Sequence, residues 1–165
     1  MMRINKIGSK IAIVWTLLRM WLGLQWFEAG YNKLGSGFEV SGFLQGAIAN
    51  AGGEDPAVQG WYASFLEVIA LPNLELFNIL IPWGEILVGL GLILGLATIP
   101  ALIAGAFMNM NFMMAGVGLA SPDLNFLAIA MILLFIGKGR YYYGLDRFVI
   151  PYIKNNLPKQ KYVAH

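Results

Sequence analysis

Four apolar runs, separated by short polar links and one long acidic segment, decide what this chain can fold into. The runs cover residues 11–31, 76–96, 99–119 and 124–137. A helix needs about 20 apolar residues to cross a bilayer. Only helices and closed barrels satisfy their backbone polar groups in lipid, and the runs lack the alternation of barrel strands. The sequence therefore predicts an all-α fold, a polytopic membrane four-helix bundle in a single domain.

The composition favours the same class and excludes several kinds of chemistry. Apolar residues make up 58% of the chain and charged residues only 12%, whereas soluble proteins carry about 25% charged residues. There is no cysteine, and the single histidine is His165. Disulfide exchange through the chain's own thiols, thiolate metal sites and bis-histidine haem ligation are thus excluded. We predict no metal and no haem, and nothing indicates nucleic-acid binding.

The basic residues predict the orientation. Arg3, Lys6 and Lys10 precede the first run, whereas the segment 35–75 contains no lysine or arginine. Six basic residues follow the fourth run: Lys138, Arg140, Arg147, Lys154, Lys159 and Lys161. By the positive-inside rule, both termini and the tail 138–165 are cytoplasmic, and 35–75 is an extracytoplasmic insert. Arg19 interrupts the first run and no small-residue cleavage site follows, so we interpret it as a retained helix and not a signal peptide.

The acidic insert carries helical patterns of its own. Asp55 and Pro56 resemble an N-cap followed by proline at the first helical position. Apolar residues then recur at helical spacing, at Val58, Trp61, Tyr62, Phe65, Leu66 and Ile69, and a shorter pattern covers 43–48. We expect amphipathic helices here, which either rest on the lipid headgroups or form a lid over a site at the outer leaflet.

Ionisable and amide side chains interrupt the predicted spans. Arg19 lies roughly 12 Å and Glu85 roughly 16 Å from the inner end of its helix, while Asn109 and Asn111 lie at roughly 15 and 18 Å. Charges buried in a membrane usually have a partner and often mark a functional site. We therefore expect one polar layer near the midplane, with Trp83 beside it. The layer is either a structural ion pair or a binding site.

A second polar group lies at the outer end of the first run. Its members are Gln25, Glu28, Asn32 and Lys33, joined by Asp123, just before the fourth run, and by Asn125 within it. Ordinary solvation at the interface explains such a group, and lysine can extend its ammonium toward water. Whether Glu28 and Lys33 form a second site stays open. In the second run, Gly91 and Gly95 form a GxxxG motif, which predicts a close approach of helices.

Taken together, these residues resemble the DoxX family, including the DoxD-like subunits of thiosulfate:quinone oxidoreductase. The matching features are Arg19, Gly30 with Lys33 and Leu34, Glu85 with Gly89 and Gly95, and the run GRYYYGLD at 139–146. The long outer insert is similar to that of the DoxD-like branch. The resemblance implies a protein of the prokaryotic plasma membrane that works with quinone and a partner redox subunit.

Three functional hypotheses follow. In the first, the chain is the membrane subunit of a quinone-dependent oxidoreductase. The quinone head would lie among Arg19, Trp83, Glu85, Asn109 and Asn111, with Arg19 bonding a quinone oxygen and Glu85 exchanging protons. In the second, the chain is a non-catalytic anchor or scaffold for a soluble redox partner. In the third, it is a small-molecule carrier; the chain lacks an evident inverted repeat, but a homodimer could supply the missing half.

Overall fold

The computed structural model describes residues 6–52, 54, 56–117, 122–135 and 143–156, with side chains described from Lys10 onward. This part of the chain is helical and contains no strand. The predicted basic positions 138 and 140, the end of the tail with His165, and the first half of the GRYYYGLD run lie outside the described residues.

Helices occupy all four of the predicted apolar runs. α1 (Lys6–Ser36) covers the first run, and α4 (Leu74–Leu94) covers the second. α5 (Thr98–Phe112) continues as a π-helical turn, Met113–Val117, and α6 (Pro122–Phe135) follows. The remaining helices are α2 (Ser41–Ala49), α3 (Gly60–Phe65) and α7 (Asp146–Asn156).

Among the described residues, two helical stretches are long and apolar enough to cross a membrane, judged by length and composition. One is Gly60–Leu94, which includes α3 and α4, and the other is Thr98–Val117. α6 is apolar but shorter. α1 has 31 residues, but polar and charged side chains such as Arg19, Glu28 and Lys33 dilute its apolar character.

α1 packs along α4 through glycines. A Cβ atom on Gly89 would lie 2.6 Å from Phe27 N, and one on Gly30 would lie 2.6 Å from Pro82 O. Backbone atoms cannot yield as a flexible side chain does, so these positions admit only hydrogen and fix the register of the two helices. Gly91 of the predicted GxxxG motif faces Ala101 of α5 instead. The closest approach of α1 and α4 therefore uses Gly30 and Gly89.

The link between α4 and α5 is held by the start of α7. Gly95 ends α4 in the left-handed region (φ 63°), where glycine is favoured. The carboxylate of Asp146 accepts hydrogen bonds of 2.8 Å from the backbone N–H groups of Ala97 and Thr98, so it satisfies donors at the N-terminus of α5.

The described residues of the insert 35–75 form a small apolar core of their own. Val40, Leu44, Val58, Tyr62 and Leu66 are buried there, and α2 and α3 lie over the N-terminal end of α4 and the π turn that follows α5. α3 begins at Gly60 after an extended Gln59, and Pro56 precedes it without being helical. The predicted helix start at Pro56 is therefore wrong, and position 55 lies outside the described residues. From Gly60 the chain stays helical through a π turn (Leu66–Ala70) and a 3₁₀ turn (Leu71–Asn73) into α4.

Candidate functional site

A salt bridge joins Lys33 of α1 to the buried Glu85 of α4. Lys33 Nζ lies 2.7 Å from Glu85 Oε1 and 2.8 Å from Oε2, so the ammonium group donates to both carboxylate oxygens. The Glu85 side chain is 2% exposed and that of Lys33 is 27% exposed. Gly30, about one turn below Lys33, allows α1 to approach α4 closely enough for this contact. The Glu85 carboxylate is thus buried between the helices, and the Lys33 ammonium group reaches it from a partly exposed position.

Asn109 of α5 supplies a polar group that the protein does not satisfy. Its side chain is 1% exposed, and neither Oδ1 nor Nδ2 has a hydrogen-bond partner among the described residues. Leaving a buried donor or acceptor unpaired costs about 1–3 kcal/mol. Asn109 is one of the residues that line the same cavity as Lys33 and Glu85. An amide in this state is suited to bind a polar group that enters the cavity.

The cavity between α1, α4, α5 and α6 has a volume of about 320 Å³. This lies at the lower end of the range for small-molecule sites. Its polar lining consists of Gln25, Lys33, Glu85, Asn109 and Asp123, and its aromatic lining consists of Trp26, Phe38, Phe43, Phe112 and Phe126. A few polar groups surrounded by aromatic faces can orient a flat ligand that carries hydrogen-bonding oxygens.

Arg19 lies elsewhere, and the predicted single layer with Glu85 is wrong. Its guanidinium donates a hydrogen bond of 3.0 Å to Tyr143 O, attracts the Asp146 carboxylate, and fills the space over Gly95. Along α4, Gly95 is roughly 15 Å from Glu85. The ends of the apolar runs do not show how far one helix slides along another, and the contacts of Gly30 and Gly89 set a register that separates Arg19 from Glu85.

The other predicted site residues do not line the first cavity. Trp83 is 51% exposed and faces away from the cavity. Asn111 lines a second cavity of about 400 Å³, where its Oδ1 and backbone O each lie 3.1 Å from the Tyr62 hydroxyl. Glu28 is exposed on α1 and does not share the Lys33 contact. Of the five predicted binding residues, Glu85 and Asn109 line the first cavity.

Part of the remaining polar lining was predicted from the sequence, but as members of the second polar group and not of the binding site. Gln25, Lys33 and Asp123 belong to the outer polar group, and the structure brings Glu85 and Asn109 to that group. The pairing of Lys33 with Glu85 was missed, although it joins the only basic residue between Arg19 and Lys138 to a buried acid. The aromatic lining gave no signal, because isolated phenylalanines in apolar helices are also typical of cores.

No family model, no curated protein and no solved structure matches the chain.

Proposed function

We propose that α1, α4, α5 with its π turn, and α6 cross a bilayer, with the insert 35–75 outside and α7 at the cytoplasmic surface. Large apolar side chains exposed on all four helices support this, since a soluble protein would bury them. They include Val14, Leu17 and Leu24 on α1, Leu80 and Leu87 on α4, Ile103 and Phe107 on α5, and Ile132 and Phe135 on α6. The distribution of basic residues supports the orientation, which puts Lys33 and Glu85 in the outer half of the membrane.

On this topology, we infer that the first cavity binds the head of a quinone and that the chain is the membrane subunit of a quinone-linked oxidoreductase. The unpaired amide of Asn109, which lines the same cavity as the Lys33–Glu85 pair, carries the inference, because it is a buried polar group in need of a partner. The aromatic lining supports a flat ring, and the resemblance to the DoxX family supports the choice of quinone over other flat oxygenated molecules.

The residues have separate roles in this proposal. Lys33 and the Nδ2 group of Asn109 donate hydrogen bonds to the ring oxygens. Glu85 shares the Lys33 contact and exchanges protons with the bound ring. A bound quinone accepts two electrons and two protons, and its electron donor is a partner subunit, since the chain has no cysteine and only His165 as a histidine. Arg19 has no role in this site, because it lies with Tyr143 and Asp146.

The proposal is tested by titrating the purified protein in mild detergent with a benzoquinone that has no tail. Quenching of tryptophan fluorescence reports binding, because Trp26 lines the cavity. Asn109→Leu should raise the Kd about tenfold, which is the loss of one hydrogen bond of about 1.4 kcal/mol. Asn32→Leu, at an exposed position of α1, is the matched control and should leave the Kd unchanged.

An unchanged Kd in Asn109→Leu contradicts the assignment of the site. Analysis of the wild-type protein for extracted quinone and co-purifying chains separates the proposal from the anchor hypothesis. Stoichiometric quinone supports the proposal. A stable partner chain recovered without any quinone supports the anchor.

A further inference from the structure

A second cavity of about 400 Å³ lies between the outer halves of α4 and α5, beneath α2 and α3. Its lining is almost entirely apolar and includes Phe77, Leu80, Gly84, Ala104 and Phe107. The polar groups that reach it, Tyr62 and Asn111, contact each other, and Asn111 Nδ2 also donates to Phe107 O at 2.8 Å. This apolar groove therefore has little hydrogen-bonding capacity left for a ligand.

The apolar groove and the first cavity share a wall. Phe43, Ile81 and Phe112 line both. The rings of Phe43 and Phe112 meet edge to face, with centroids 6.2 Å apart, and Ile81 lies one turn from Glu85 on α4. A molecule whose head contacts the Lys33–Glu85 pair has only to pass these three side chains for its other end to enter the groove.

We propose that the apolar groove holds the hydrocarbon tail of the molecule whose head occupies the first cavity, so that the ligand is a quinone with an alkyl or isoprenoid chain. This rests on the proposed function. The shared wall selects this occupant, because it makes the polar cavity and the apolar groove two parts of one amphipathic site. Phe43 is carried by α2, so the outer insert closes over the point where head and tail join.

The apolar groove should contribute to the binding of the tail through packing and not through the hydrophobic effect. A tail is solvated as well by lipid as by leucine and phenylalanine side chains, so the groove gains no hydrophobic free energy relative to the bilayer. Its contribution is packing and orientation of the tail. A side chain that fills the groove should therefore weaken binding of tailed ligands while leaving tail-less ligands unaffected.

The test compares two probes on the purified protein in mild detergent: a benzoquinone with a decyl chain, and the same ring without the chain. Ala104 is exposed at the groove, and Ala104→Phe should fill it. The Kd for the decyl probe should rise about tenfold, while the Kd for the tail-less probe should stay constant. Ala128→Phe, at an exposed alanine of α6 outside the groove lining, is the matched control and should change neither value.

The outcomes are distinguishable. Leu80→Trp fills the groove from α4 and replaces Ala104→Phe if that variant does not give monodisperse protein. If the groove-filling variants bind the decyl probe as well as wild type does, the inference is overturned, and the proposed function still stands provided that Asn109→Leu weakens both probes. It is equally overturned if these variants lose a co-purifying phospholipid with no change in quinone affinity. If wild type binds neither probe, both proposals fail.

Discussion

The buried amide of Asn109 should lower the stability of the ligand-free protein, because neither of its polar atoms has a partner among the described residues. Both of its polar atoms lack partners among the described residues, although the side chain is 1% exposed. Active and binding sites commonly retain such groups at the expense of stability. The amide is therefore the residue at which stability and ligand binding should separate most clearly.

Replacing Asn109 with leucine should stabilise the ligand-free protein while weakening quinone binding. The gain should be about 1 kcal/mol, because an unpaired buried amide is replaced by an apolar group of similar size. Thermal unfolding in detergent, measured without quinone, gives the comparison with wild type. A lower Tm would mean that the amide makes a stabilising contact within the protein.

The Lys33–Glu85 pair should behave differently, because each charge compensates the other. Lys33→Met leaves the Glu85 carboxylate buried without its partner, which should destabilise the protein by about 3–5 kcal/mol. Lys33→Met combined with Glu85→Gln removes both charges and should recover most of that loss. The Tm values of wild type, Lys33→Met, Glu85→Gln and the double variant together measure this coupling. Equal stability of wild type and Lys33→Met would show that the pair is not coupled as described.

At the scale of helices, the sequence predicted the segments well and their relative register poorly. The apolar runs located α1, α4, α5 and α6, because hydropathy records which residues avoid water. It does not record how far one helix slides along another. That distance is set by the contacts of Gly30 and Gly89, and it puts Glu85 beside Lys33, not beside Arg19.

The same limit explains which site residues were found. Glu85 and Asn109 were recognisable individually, because polar side chains in apolar helices are costly and stand out. Their neighbours depend on register and helix rotation, so Trp83 and Asn111 were assigned to a site that they do not line. Pro56 was a weak helix signal, since proline also suits the extended chain that precedes α3.

Two glycine substitutions should shift stability in opposite directions. Gly89→Ala puts a Cβ 2.6 Å from Phe27 N and should cost about 1–3 kcal/mol, because α1 has to move. Gly46→Ala in α2 meets nothing within 4 Å and should gain about 0.5–1 kcal/mol from helix propensity. Thermal unfolding of both variants checks the signs. A neutral Gly89→Ala would contradict the close packing of α1 on α4.

At the scale of the whole molecule, the absence of cysteine makes the proposed topology directly testable. Gln59→Cys lies in the outer insert and Lys154→Cys in α7, and both positions are exposed. In intact cells, a membrane-impermeant maleimide should label position 59, and position 154 should react only after the membrane is permeabilised. Equal labelling of both positions in intact cells would contradict the orientation.

The central claim is that the cavity around Lys33, Glu85 and Asn109 holds the quinone head. Photolabelling with an azido-benzoquinone in native membranes, followed by mass spectrometry of the labelled peptides, tests it most directly. We predict cross-links at Trp26, Phe112 or Phe126, which line the cavity on three different helices. Cross-links confined to the surroundings of Arg19 and Tyr143, or to the exposed side of α4 that faces away from the cavity, would contradict the claim.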